Sequence, residues 1–153
     1  MTDYELLCAQ LQALGEEERH WLPLLANASA LLAVALDELN WAGFYLLRGE
    51  ELLLGPFQGK AACIHIPLGR GVCGTVAARD KTQLVPDVHA FPGHIACDSA
   101  SASEIVVPLH DKGRVIGVLD IDSPRPARFT EDDRAGLERF AKLIEELALW
   151  KEI

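Results

Sequence analysis

Cys63, Cys73 and Cys97 stand in segments rich in glycine, histidine and carboxylate: GKAACIHIP, GRGVCGT and FPGHIACD. Thiols can do chemistry that a scaffold cannot. One thiolate attacks an electrophile, a second thiol resolves the product as a disulfide, and a third can relay. Inert burial is the competing explanation for each. Cys73 lies in the helix-like GVCGTVAA, where a buried thiol would be ordinary. Cys97 follows a loop broken by Pro92 and Gly93 and precedes Asp98-Ser99-Ala100-Ser101, which could open a helical turn. Backbone N–H groups at a helix start favour a thiolate, and the adjacent Asp98 opposes that effect. Cys8 stands apart in an N-terminal helical pattern.

Three carboxylates could serve those thiols. Asp120 and Asp122, two apart in VLDID, share one face of an expected strand, with Leu119 and Ile121 on the other. Glu104 starts the preceding strand and can approach them across a hairpin. Paired acids beside a core need a cation or a shared proton; the alternative is a solvated sheet face. Trp41, Gly43 and Tyr45 alternate along another strand. Gly43 would leave a slot between two rings, suited to a small cation with an apolar tail; ordinary sheet packing is the alternative. Cys63, His65, His94 and Cys97 also form a mixed zinc-ligand set, but no CxxC pair is present and no metal is expected.

The positioning elements follow from periodicity. Thr2 and Glu5 read as a capping box before a first helix with Leu6, Leu7, Leu11 and Leu14. Glu16 to Glu18 open a second helical pattern that continues from Leu24 to Leu39. Strands are expected at Trp41–Leu47, Glu51–Phe57, Ala61–Ile66 and Thr82–Val85, then at Glu104–Leu109 and Arg114–Asp122 as a hairpin. Val72–Arg79 is a short helix after a glycine turn, and Asp87–Asp98 is irregular. Thr130 and Asp133 cap a long amphipathic final helix. Helices, then an antiparallel sheet with inserted helices, then a helix make the class α+β, with residues 1–153 as one domain.

Composition removes several function classes. The net charge of −9 with scattered basic residues argues against nucleic acid as a partner. No apolar run is long enough for a membrane span, and MTDYELLCAQLQ lacks the features of a signal peptide. A cytoplasmic location is expected, where thiols stay reduced and four cysteines argue for redox or metal chemistry rather than a disulfide frame.

The segments NWAGFYLL, LGPFQGKAACIHIPLGRGVCGTVAARD, DVHAFPGHIACDSASASEIVVPL and GVLDIDSP resemble the free methionine-(R)-sulfoxide reductases, which are stand-alone GAF domains. The resemblance runs from Asn40 to Asp133 and extends to the flanking helices. It implies a GAF-like central antiparallel sheet, with N- and C-terminal helices packed on one side and a loop-lined ligand pocket on the other. It implies reduction of free methionine-(R)-sulfoxide, with Cys97 as nucleophile, Cys63 as main resolving thiol and Cys73 as a second candidate. It places Trp41, Tyr45, Gly93, Ile95, Ala96, Glu104, Asp120 and Asp122 against substrate; since crowded acids resist joint ionisation, Glu104 or Asp122 is the expected proton donor. It further implies no bound cofactor, thioredoxin as reductant, and pairing into a homodimer. A non-catalytic GAF module that senses a small ligand is the alternative.

Overall fold

A computed structural model describes residues 1–95 and 97–151. Helix α1 (Tyr4–Glu17) is capped by Asp3, whose carboxylate accepts the Leu6 N–H at 2.9 Å. The cap is therefore Asp3 rather than Thr2, and Glu16 and Glu17 end α1 instead of opening the next helix. In α2 (Trp21–Ala35) the His20 Nδ1 accepts the Leu22 N–H at 3.1 Å. That start puts Pro23 in the first turn, where its missing N–H costs no helical hydrogen bond. The helix stops at Ala35 rather than Leu39, because Leu36 turns extended and Glu38 adopts φ 59°.

Six antiparallel strands follow: β1 (Trp41–Arg48), β2 (Glu51–Gly59), β3 (His65–Pro67), β4 (Gln83–Val85), β5 (Ser103–Asp111) and β6 (Arg114–Ser123). Their order in the sheet is β3-β2-β1-β6-β5-β4. Helix α3 (Gly71–Arg79) lies between β3 and β4, and α4 (Glu131–Leu147) closes the chain. Strand β3 is shorter than its expected Ala61 start, so Cys63 sits in the loop before it. The Thr130–Asp133 capping box forms as expected, with both reciprocal bonds present.

Strand alternation divides the side chains between two cores. Ala42, Phe44, Leu46, Ile105, Val107, Leu109, Leu119 and Ile121 face α1, α2 and α4, where Leu11, Leu25, Leu32, Leu137, Phe140 and Ile144 meet them. Trp41, Tyr45, Val106 and Val118 face the other way, onto Val72, Cys73 and Val76 of α3. The terminal helices thus cover one side, and the side that carries the acids is left to α3 and loops. No helix among the described residues is long and apolar enough to cross a membrane.

His110 ties α3 to α4 across β5. Its Nε2 lies 2.6 Å from Asp80, the left-handed C-cap of α3, and its Nδ1 lies 2.7 Å from Glu145 of α4. Partial burial pulls its pKa down from 6.5, but the two carboxylates outweigh burial and the net shift is upward. A raised folded pKa gives stability that is full below the unfolded value and is lost as pH rises through the folded one. The melting temperature of the wild type should therefore exceed that of His110→Gln most below about pH 6. Thermal scans across pH check this; a gap that widens with rising pH contradicts it.

Candidate active site

Register sets the acids. Glu104 of β5 pairs with Asp122 of β6, and Asp122 pairs with Trp41 of β1. One rung along, Asp120 pairs with Gly43 on one side and Val106 on the other. All three carboxylates therefore project from the α3 face of the sheet. Glu104 is 7% exposed and Asp120 5% exposed, which removes the reading of a solvated sheet face. Burial first, then the Asp120 and Asp122 carboxylates, pushes Glu104 well above the usual carboxylate range. Burial and Asp120 do the same to Asp122. The Oδ1 atoms of Asp120 and Asp122 are enclosed and have no hydrogen-bond partner among the described residues.

The aromatic residues differ from the expected slot. Trp41 and Tyr45 stack directly, with ring centroids 5.8 Å apart, and Phe57 stacks on Trp41 at 5.1 Å. The space left by Gly43 is taken by β2 at a register shift, so that an added Cβ would lie 2.8 Å from the Pro56 carbonyl oxygen and closer still to Phe57. Gly43 thus admits the neighbouring strand, not a ligand. The two rings form one wall of the cavity instead. They also hold the opposite loop: Trp41 Nε1 donates to the Lys60 carbonyl at 3.2 Å, and the Tyr45 hydroxyl donates to the Cys63 carbonyl at 2.9 Å.

Cys63 and Cys97 are joined in a disulfide with a Cα–Cα distance of 5.4 Å. That bond takes two of the four atoms of the zinc set considered from sequence. Cys73 is a free, buried thiol on the first turn of α3, 4.0 Å from Glu104 Oε2. Burial, then the charges of Asp120, Glu104 and Asp122, pushes its pKa well up. Cys73, Glu104 and Asp120 each offer a ligand atom, all within 4.8 Å of one another. A cation there would have to displace the protons that burial holds on Cys73 and Glu104.

The segment after Cys97 forms no helix. Asp98 instead closes a side-chain turn: its Oδ1 accepts the Ala100 N–H at 2.9 Å, and its backbone oxygen accepts the Ser101 N–H. Asn40 Nδ2 donates to Asp98 Oδ2 at 2.9 Å and to Ser101 Oγ at 3.0 Å, pinning the loop to the start of β1. The Ala100 and Asn40 donors hold Asp98 below the usual carboxylate range. Ile95 packs on Gly71, whose φ of 62° and missing side chain admit it. Gly93 forms an exposed turn at φ 75° and does not reach the cavity lining. Ala96 lies outside the described residues.

Trp41, Tyr45, Cys73, Ile95, Cys97, Glu104, Asp120 and Asp122 are thus brought around one cavity, with Cys63 bonded at its rim. Sequence reasoning missed Arg70, Asp98 and Ser101 in the lining and Asn40 behind it. The GRG turn before α3 was the available signal for Arg70; nothing local marked Asn40.

The sequence matches the GAF domain family over residues 16–146. It is 54% identical to the free methionine-R-sulfoxide reductase of Escherichia coli over 144 residues, covering 94% of this chain and 87% of that protein. The structure of fRMsr of Staphylococcus aureus in its reduced form is 53% identical, with a TM-score of 0.94 and 97% of both chains covered. The free methionine-R-sulfoxide reductase of Neisseria meningitidis, solved in complex with its substrate, is 48% identical with a TM-score of 0.90, covering 94% of this chain and 86% of that one.

The raised acids carry a stability cost with a definite sign. A carboxyl whose folded pKa lies above its unfolded value destabilises the fold increasingly as pH rises from the unfolded value to the folded one. Glu104→Gln removes that cost and should raise the melting temperature at neutral pH, by about 2–4 °C for each kcal/mol relieved. The gain should vanish below about pH 4, where the wild-type carboxyl is protonated in both states. Paired scans of wild type and variant from acid to neutral pH test this, and a variant less stable at pH 7 contradicts it.

Proposed function

The chain belongs to the GAF family and, within it, to the free methionine-R-sulfoxide reductases, which are oxidoreductases, and on that premise we propose that it reduces free L-methionine-(R)-sulfoxide to methionine by thiol chemistry at Cys97. The observation that carries this reading is the Cys63–Cys97 disulfide at the rim of a cavity lined by raised carboxyls.

Each residue takes a role from its placement. The Cys97 thiolate attacks the sulfoxide sulfur while Glu104 or Asp122 delivers a proton to the sulfoxide oxygen. The protonated oxygen then passes from the substrate sulfur to the Cys97 sulfur, the S–O bond and the newly formed S–S bond both break, and Cys97 is left oxidised by two electrons as a sulfenic acid while methionine leaves as the reduced thioether. Cys63 then condenses with the sulfenic acid, releasing water and forming the disulfide. Tyr45 holds the Cys63 carbonyl, and Asn40 holds the loop beyond Cys97, so both thiols start from defined positions. Cys73 has no such freedom, being buried and fixed on α3. The stacked Trp41 and Tyr45 rings offer an apolar wall for the substrate's methyl end.

Thioredoxin, a dithiol reductant that acts by exchange, restores Cys63 and Cys97. Both are partly exposed and so within its reach. A cytoplasmic location suits that recycling, and no bound cofactor is needed for any step.

A coupled assay with NADPH, thioredoxin reductase and thioredoxin should show turnover of free methionine-(R)-sulfoxide and none for Cys97→Ser. Cys63→Ser should release one methionine per protein and then stop. A wild-type protein that binds the substrate without turning it over would be a sensor module, and the reductase reading would fall.

A further inference from the structure

A disulfide formed in every turnover must be reopened by a molecule that reaches it, and the two halves of this one differ in what they offer. Strand β3 ends the sheet, pairing with β2 on one side and, among the described residues, with no strand on the other. It begins two residues after Cys63. The Leu54 N–H donates to the Ile64 carbonyl at 2.9 Å, and the Leu68 N–H donates to the Glu50 carbonyl at 2.9 Å. These bonds fix the phase of the antiparallel ladder. Ile64, Ile66 and Leu68 turn their backbone groups to β2, while His65, opposite Leu53, turns its N–H and carbonyl to the open edge. Pro67 has no N–H, and its carbonyl already accepts the Arg70 N–H at 3.0 Å. His65 therefore presents a donor and an acceptor side by side, the pair that an added strand engages. Apolar side chains stand at both ends of this short edge: Ile64 is 58% exposed and Leu68 37% exposed. On the Cys97 side, by contrast, the N–H groups of His94, Cys97 and Ser101 all donate within their own loop.

Resting on the reductase reading above, we propose that the open edge of β3, with Ile64 and Leu68 at its ends, is the docking surface for the thioredoxin-class dithiol protein that reduces the Cys63–Cys97 disulfide, and that this protein attacks at Cys63. Strand addition at His65 seats an extended segment of the reductant beside Cys63, with Ile64 and Leu68 against its apolar surface. The reductant's thiolate bonds to the Cys63 sulfur, the Cys63–Cys97 bond breaks, and Cys97 leaves as a thiolate. The reductant's second thiol then attacks the mixed disulfide and frees Cys63, which takes up that thiol's proton. The reductant departs as an internal disulfide, oxidised by two electrons. This direction returns Cys97 to its attacking form in the first step, while Asn40 still holds its loop. The surface also distinguishes a protein reductant from a small dithiol, which needs only to reach the sulfur atoms.

The test measures turnover of free methionine-(R)-sulfoxide with thioredoxin and, separately, with dithiothreitol, for wild type, His65→Pro, His65→Ala and Ile64→Asp. Proline removes the outward N–H and no ladder bond. Alanine removes only the ring and its exposed pairing with Glu51. In His65→Pro and Ile64→Asp, kcat/KM for thioredoxin should fall about fivefold or more. His65→Ala should stay within about twofold of wild type, as should all three variants with dithiothreitol. A thioredoxin whose second active-site cysteine is serine should trap a mixed disulfide that peptide mass analysis locates at Cys63. An unchanged kcat/KM for thioredoxin in either variant overturns the docking surface, as does a loss that dithiothreitol shares in both. Where one variant loses turnover with both reductants, the other decides. A dimer lost in His65→Pro with thioredoxin kinetics intact assigns the edge to a second copy and overturns it likewise, and a trapped bond at Cys97 overturns the point of attack. Wild-type turnover with dithiothreitol but not thioredoxin overturns this proposal alone, whereas turnover with neither overturns the reductase reading.

Discussion

Three carboxyl groups buried side by side on one sheet face are the constraint around which this molecule is arranged. Glu104 and Asp122 sit opposite each other across β5 and β6, with Asp120 one rung away. Like charges at that distance cannot all ionise without a counter-ion. The fold resolves the conflict by burial, which keeps protons on the cluster, and by leaving two carboxylate oxygens without protein partners. A substrate oxygen or ammonium can meet those atoms; a packed core could not. The same strands offset the cost on their other face. Ile105, Leu119 and Ile121 alternate with the acids and are fully buried against the terminal helices. Apolar burial there, at about 25 cal/mol per Å², supports a polar face that would not fold by itself.

The acids also set what the cysteines can be. Cys73 is nearest to them, and burial with three neighbouring charges holds it as a thiol. It is carried by a helix whose position is fixed further by Gly74, where an added Cβ would lie 2.6 Å from the Pro67 carbonyl oxygen. Cys63 and Cys97 lie on loops, each moored by side chains from β1 or the residue before it. Thiols on loops can separate without breaking the sheet, which a place on α3 does not allow Cys73.

Much of this arrangement was legible in the sequence because it depends on period two. The pairing of Leu119 and Ile121 against Asp120 and Asp122 follows from alternation, and the DKG turn fixes the hairpin that brings Glu104 alongside. The α4 cap was readable because Thr130 and Asp133 are local partners. Errors arose where tertiary contacts override local pattern. The apolar run after Leu24 reads as helix to Leu39, yet the chain must turn at Leu36 to enter β1. The gap at Gly43 reads as a slot because one strand cannot reveal that its neighbour fills it. Cys63 reads as strand because ACIHI has the composition of one, whereas only His65–Pro67 pairs with β2. Asn40 left no local trace, since its significance lies in partners contributed by distant segments.

The placement of Asn40 shows how closely the loop chemistry is joined to the acid row. Its backbone N–H donates to the Asp122 carbonyl at 3.0 Å, and its side chain holds Asp98 and Ser101. One residue therefore touches the strand that bears an acid and the loop that bears Cys97. The Asn40 amide uses its Nδ2 for both loop contacts, while its Oδ1 is enclosed without a partner. An aspartate at this position would lose both donors and add a charge beside Asp98, so the loop specifically requires an amide. Hydrogen bonds from Asn40 thus fix the side of the loop that follows Cys97 to the strand that carries Asp122. On its other side Ile95 packs against Gly71. The loop that bears Cys97 is therefore tied on both sides, to β6 through Asn40 and to α3 through Ile95.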